Sequence, residues 1–284
     1  MTPAFLSLRD AMAQQVRDGM TVALEGFTHL IPFAAGHELI RQRRRGLTLV
    51  RMTPDLIYDQ MIGMGCASSL TFSWGGNPGV GSLHRLRDAI ENGWPHALAI
   101  DEHSHAGMAV RYSAGASGLP FGMLKGYVGT DLPAANAARI SNVTCPFTGE
   151  RLTALPAIQP DVTILHAQRA DREGNVWLRG IVGASREAAM AARAIVVTVE
   201  EVVGDLGAPM NAFVIPGWQV AAIAHVPGGA YPSYALGHYA RDNAFYLAWD
   251  EIARSRESFT AWMGEHVLGT TDHAGFLRSV GAVT

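Results

Sequence analysis

Helix-length amphipathic segments alternate along this chain with runs of a few residues that are apolar throughout, and that pattern leaves few folds open. "LSLRDAMAQQVRDG" places Leu6, Leu8, Met12 and Val16 at roughly helical spacing and stops at Asp18-Gly19. "MTVALEG" follows as a short buried strand, then "FAAGHELIRQRRRG" as a helix ending at Gly46, "LTLVRM" as a strand and "DLIYDQMIG" as a helix. "LTFSW", "SLHRLRDAIENG", "ALAIDE" and "HAGMAVRYSAGASG" continue the alternation. A strand apolar on every side is buried on both faces, and in alternation with helices this means a parallel sheet covered on both sides. The expected fold is α/β, a three-layer αβα arrangement around an open, mostly parallel sheet with right-handed crossovers. Residues 1–284 are expected to form one domain.

The second half is less regular. Residues 120–150, rich in Gly, Pro and Asn, read as an excursion. "DVTILHAQ" and "NVWLR" read as strands across the turn "RADREG". "SREAAMAARA" reads as a helix capped by Ser185, "IVVTVEEVV" as a strand, and a helical tail starts near Asn243.

Composition closes off several functions. A net charge of -3 provides no basic field for nucleic acid. The one dense basic run, Arg41 to Arg45, is expected to complement the negative end of its own helix. The two cysteines, Cys66 and Cys145, form no Cys-x-x-Cys pair and suit a reducing, cytoplasmic setting. "MTPAFLSLRDAMAQQ" lacks the pattern of a signal peptide, and no apolar run is long enough to span a bilayer. Charged residues are only 17%, which points to a surface partly covered by a partner.

Ligands of such sheets bind beyond the carboxyl ends of the strands, which singles out "EGFTHLIP", "RMTPD", "SWGGNPG" and "DEHSH". The triplet Glu91-Asn92-Gly93 also looks catalytic. Yet Leu83, Leu86 and Ile90 would face the core, with His84, Arg87, Asp88 and Glu91 opposite, and Asn92-Gly93 is a helix stop. Glu91 therefore reads as a solvated carboxylate at a helix end.

Four ordered segments carry a family resemblance: "DGMTVALEGFTHLIP" at 18–32, "CPFTGERLTALPAIQPDVTILHAQRADREGNV" at 145–176, "AARAIVVTVEEVV" at 191–203 and "VPGGAYPSYA" at 226–235. Nearly the whole chain resembles the A (alpha) subunit of family I coenzyme A transferases. "ALEGFTHLIP", "LVRMTPDLIYD", "TFSWGGNPGVGSLHRLRDA" and "WPHALAIDEHSHA" make it similar to the glutaconate type and closer still to the 3-oxoadipate type. The resemblance implies transfer of CoA from succinyl-CoA to 3-oxoadipate, in aromatic-compound breakdown. It implies a CoA thioester as substrate and no permanently bound cofactor. It further implies a B subunit whose Ser-Glu-Asn-Gly motif supplies the nucleophilic glutamate, through acyl-glutamyl anhydride and glutamyl-CoA intermediates. Glu91, preceded by Ile90 rather than Ser, is then an echo of the partner's motif, and this chain holds no nucleophile of its own.

On that reading the chain contributes substrate-binding residues. In Glu25, Gly26, Phe27, Thr28 and His29, backbone N–H groups face a carboxylate or thioester oxygen. The family's Gly-Gly-Phe and Gly-x-Pro become Glu25-Gly26-Phe27 and Leu30-Ile31-Pro32 here. Glu25 reads as a pocket residue, or as a buried carboxylate paired with an arginine. Ser73, Gly75, Gly76 and Asn77 read as an anion site opening into a helix, or as a tight turn without ligand. Glu102 and His103 read as pocket residues, or as a strand-to-helix junction capped by Ser104 or Asp101. His103 and His105 lack further ligands at metal spacing, so no metal is expected. Arg51, His29, His103 and Arg111 are the cations available for the far carboxylate of a diacid. Rival readings are a hydratase-like, hydrolytic or decarboxylating member of the superfamily, and a non-enzymatic ligand-binding domain on the same sheet.

Overall fold

The apolar runs become the strands of one large sheet in the structure, a computed structural model that describes residues 3–78, 81–127 and 129–282. The strands are Ala4–Phe5 (β1), Thr21–Leu24 (β2), Leu47–Val50 (β3), Ala67–Phe72 (β4), Ala99–Glu102 (β5), Phe121–Leu124 (β6), Ser141–Thr144 (β7), Arg151–Pro156 (β8), Val162–Asp171 (β9), Val176–Leu178 (β10), Ala194–Val203 (β11), Phe213–Ile215 (β12) and Val220–His225 (β13). The sheet runs β1-β13-β11-β9-β2-β3-β4-β5, with parallel pairing throughout that path. Antiparallel β10 folds back on β9, and β12 pairs with β10. Strand β2 has β3 on one side and β9 on the other, so the sequence reverses direction across the sheet at β2. The loop after β2 thus sits at the topological switch point, where such sheets bind ligands.

Alternate residues on one strand feed opposite layers, as the two-residue period requires. Val22, Leu24, Ile164, Val196 and Ala222 pack with Tyr58, Met61, Trp249 and Phe259. Ala23 packs beneath Met108, Tyr112 and Ala188 on the other face, while Leu165, Val197 and Ile223 join a second cluster there. Two helical layers enclosing a sheet are the three-layer α/β arrangement expected. Residues 121–156 add a separate antiparallel sheet in the order β6-β8-β7. A helix at Asn243–Ile252 begins the closing helical segment. No helix among the described residues is long and apolar enough to cross a membrane.

Several local expectations are corrected. In the helix His84–Glu91, Ile90 is exposed while Asp88 is buried. Asp88 is drawn inward by Arg85 (2.9 Å) and by Arg256 (2.7 Å), so ion pairing overrides the hydrophobic stripe. Ser185 lies inside its helix, whose cap position is Ala184. The run Arg41 to Arg45 serves neighbouring helices rather than its own: Arg41 Nε donates to Val267 O (2.9 Å), Arg44 to Ala13 O (3.2 Å) and Arg45 to Met64 O (2.6 Å). Those carbonyls lie at the ends of other helical segments, where unpaired acceptors collect. "SWGGNPG" does not open directly into a helix, because the next one starts at His84. Gly79 of that stretch, Val80 after it, and Val128 of the excursion lie outside the described residues. The next helix is capped instead by a distant carboxylate: Asp59 Oδ1 accepts from Arg85 N (2.8 Å) and Leu86 N (2.9 Å), and Oδ2 accepts from Trp249 Nε1 (3.1 Å). Ser104 caps the helix after β5, accepting from Gly107 N at 3.1 Å.

Candidate active site

At the switch point the chain turns on Gly26. A Cβ there would stand 2.8 Å from Leu30 O and 2.9 Å from His29 O, so only glycine lets the loop fold back this tightly. Thr28 (φ 57) and Leu30 (φ 52) adopt left-handed backbone that side-chain-bearing residues rarely take. A second loop, after β13, holds them there. Leu30 N donates to Tyr234 O (2.9 Å) and Ser233 Oγ to Thr28 O (3.0 Å). Leu236 N donates to His29 Nε2 (3.0 Å), which leaves Nδ1 to carry the proton donated to Ile181 O (3.1 Å). Burial lowers His29 to about 4, so it stays neutral at neutral pH and is no cation for an acid substrate.

Glu25 is turned inward. Its Oε1 accepts from Tyr112 OH (2.7 Å) and Met52 N (3.3 Å), and burial raises its pKa against the pull of Arg51. Arg51 itself is spent on Asp55 (3.0 Å) and on Gly26 O (2.6 Å). Ser73 Oγ donates to Met52 O at 2.6 Å. Gly75 packs its backbone against Leu86, Gly76 N donates to Pro54 O (3.2 Å), and Asn77 donates through N to Gly81 O (3.1 Å) and through Nδ2 to Tyr246 O (2.7 Å). Most of this turn's polar groups are thus consumed internally.

Asp101 is a hub at the carboxyl end of β5, accepting from His103 Nε2 (2.8 Å), Arg111 (2.8 Å) and Thr71 Oγ1 (3.3 Å), with Asn136 alongside. Burial pushes its pKa upward, but His103, Arg111 and Asn136 outweigh that and hold the carboxyl well below the usual range. His103 is buried on this hub, whereas Glu102 and His105 are exposed.

The structure therefore brings the four predicted segments onto one sheet edge, but it turns Glu25, His29 and His103 inward. Phe27, Trp74, Ile181 and Leu236 are exposed on the same edge or beside it. Reading along the sequence missed a buried network in which Glu200 binds His166 and Tyr239. Its signal was a carboxylate inside the apolar run "IVVTVEEVV". Glu91 pairs with Arg87 at 3.0 Å, with more than half of each side chain exposed. Such pairs contribute about 0.5 kcal/mol or less. Glu91→Gln is expected to leave the melting temperature unchanged and the transferase rate within about twofold of wild type, checked by thermal melts and by assay of the assembled enzyme.

A family model described as Coenzyme A transferase matches residues 5–225. The chain is 64% identical to the A-type subunit of 3-oxoadipate CoA-transferase from Pseudomonas knackmussii, over 97% of each chain. The crystal structure of glutaconate coenzyme A-transferase from Acidaminococcus fermentans superposes with a TM-score of 0.92 at 31% identity, covering 98% of this chain and 93% of that one. The decarboxylase AibA/AibB superposes with a TM-score of 0.81 at 32% identity, over 93% of this chain and 99% of that one. The switch-point loop and the strand-end hubs around it thus lie in an enzyme subunit, and the chain belongs to the coenzyme A transferase family as an A-type subunit.

Proposed function

We propose that this subunit, with a B subunit, moves CoA from succinyl-CoA to 3-oxoadipate, in the cytoplasm and in the breakdown of aromatic compounds. The observation that carries the reading is the 64% identity, along 97% of both chains, to one of the subunits of that enzyme. The glutamate nucleophile comes from the partner's Ser-Glu-Asn-Gly motif. Its carboxylate attacks the succinyl carbonyl and expels CoA thiolate, leaving a succinyl-glutamyl anhydride. The thiolate then attacks the glutamyl carbonyl, forming a glutamyl-CoA thioester and releasing succinate. The carboxylate of 3-oxoadipate attacks that thioester in turn, and the returning thiolate takes the 3-oxoadipyl group. Each step exchanges one acyl bond for another and regenerates the glutamate.

The A-type chain supplies the floor of this site. Phe27 and Thr28 carry N–H groups that take no acceptor among the described residues, at a loop whose shape is fixed from behind. Fixed donors at the place where oxyanion charge develops are the largest usual contribution to acyl transfer. Glu25 is engaged by Tyr112 and Met52 N, and Glu91 by Arg87, which supports a nucleophile from the partner chain.

The test is CoA transfer from succinyl-CoA to 3-oxoadipate by this chain alone and by the co-expressed pair. Transfer by the pair only is expected, and transfer by the lone chain would overturn the assignment of roles. The likeness to the decarboxylase AibA/AibB favours a second reading, acyl-CoA decarboxylation, which the same pair would reveal as CO2 release without exchange of CoA.

A further inference from the structure

A short diacid needs a positive group for its far carboxylate, and the four basic side chains nearest the strand ends do not offer one. Arg51 is paired with Asp55, Arg111 and His103 with Asp101, and His29 is neutral. One arginine beside the switch point is different. Arg179 follows β10, and its backbone is clamped in both directions by the buried amide of Gln168: Nε2 donates to Arg179 O (2.8 Å) and Oε1 accepts from Arg179 N (3.1 Å). Its guanidinium forms no ion pair, and its buried Nε has no hydrogen-bond partner, among the described residues. It lines a cavity of ≈ 300 Å³ together with Arg169, Trp177, Glu201, Leu236 and His238. Arg169 is neutralised there by Glu201 at 2.8 Å, with His238 3.8 Å from the same carboxylate, so the uncompensated charge is that of Arg179.

The cavity adjoins the reacting edge. Leu236, part of its wall, donates its N–H to His29, and a Cβ on Gly180, the residue after Arg179, would lie 2.7 Å from His29 Cε1. Its size is at the lower end of small-molecule sites and suits a short diacid rather than the nucleotide of CoA. A partly desolvated guanidinium without an anion is costly, and the planar fork matches a carboxylate in bidentate geometry. We infer that this cavity holds the distal carboxylate of the dicarboxylate substrate, recognised by Arg179. The assignment rests on the transferase reading above and names the residues that select its acid.

The test uses the reconstituted pair with Arg179→Ala and Arg179→Lys, both first shown by thermal melt to be folded. Adipate and hexanoate, equal in length, serve as competitive inhibitors against 3-oxoadipate. Arg179→Ala is expected to weaken adipate about 10- to 100-fold and leave hexanoate unchanged, with the KM for 3-oxoadipate rising in parallel and lysine restoring part of the loss. Equal effects on both inhibitors, or none on adipate, would overturn the inference. A loss that follows the CoA portion, seen equally with succinyl-CoA and acetyl-CoA, would reassign Arg179 to a phosphate and overturn it too. If the wild-type pair catalyses no transfer, the functional reading fails by itself. Calorimetric titration of adipate and hexanoate into the same pair then still decides whether Arg179 reads the second carboxylate.

Discussion

Replacing Gly26 with alanine is expected to abolish most transferase activity while leaving a folded protein. The added methyl would meet three backbone atoms below 3.0 Å, namely Leu30 O, His29 O and Ile31 Cα. Backbone cannot swing aside as a long side chain can, so the loop itself has to open. Overpacking of this kind costs on the order of 2–3 kcal/mol. In a chain of 284 residues that corresponds to a fall of about 5 °C in melting temperature. The kinetic effect is larger. Thr28 and Leu30 hold left-handed backbone only because the loop is closed, and the Phe27 and Thr28 N–H groups point where that closure sends them. A displacement of about 1 Å at reacting groups lowers rates on the order of 10²-fold. The assembled Gly26→Ala enzyme should therefore show a fall in kcat of that size, with KM for succinyl-CoA changed far less. Full activity in that variant would remove this loop from the reacting edge.

Much of the fold was legible because it follows from local periodicity. Short apolar runs between amphipathic segments could be buried only as parallel strands, and the carboxyl-end rule then drew Glu25 to His29, Ser73 to Asn77 and Glu102 to His103 onto one edge. Charge was harder to read. Proximity to a strand end selected Arg51, His103 and Arg111, yet those are the positions where the layers bury a basic side chain and pair it with Asp55 or Asp101. Arg179 comes from a strand that folds back antiparallel, which no rule about parallel strand ends covers. Asp88 read as solvated because its partner Arg256 belongs to the closing helical segment, far along the chain. The same distance hid the network around Glu200. His166 lies 34 residues before it and Tyr239 lies 39 after it, and only the register of β9 against β11 and the return of the final loop bring them together.

That network should be the structural key to the loop after β2, and Glu200→Gln the substitution that exposes its role. Glu200 Oε1 accepts from His166 Nε2 and from Tyr239 OH, both at 2.6 Å, and Oε2 accepts from Gly228 N at 2.8 Å. Tyr239 and Gly228 flank the segment from which Ser233, Tyr234 and Leu236 grip Thr28, Leu30 and His29, so one buried carboxylate sets the position of both loops. An amide in its place keeps one acceptor and turns an N–H toward a donor. Breaking a buried charged network in this way costs on the order of 3 kcal/mol. The pH dependence identifies the group. Burial pushes Glu200 upward, but the His166 and Tyr239 hydrogen bonds and the Gly228 N–H prevail and bring it from 4.5 to about 2. A carboxyl depressed by folding stabilises the native state above its unfolded value and loses that contribution as pH falls through its folded value. Here the window runs from 4.5 down to about 2, and the contribution is on the order of 3 kcal/mol. Wild type should therefore exceed Glu200→Gln by about that amount at pH 7, with the gap narrowing steadily below pH 4.5, as denaturant unfolding at a series of pH values would record. In the assembled enzyme at neutral pH, kcat should fall about 10²-fold while the KM for 3-oxoadipate stays near wild type, because the carboxylate orders the loop without touching the substrate. A gap in stability that does not change with pH would mean that Glu200 acts by shape alone and that its charge plays no part in holding the loop.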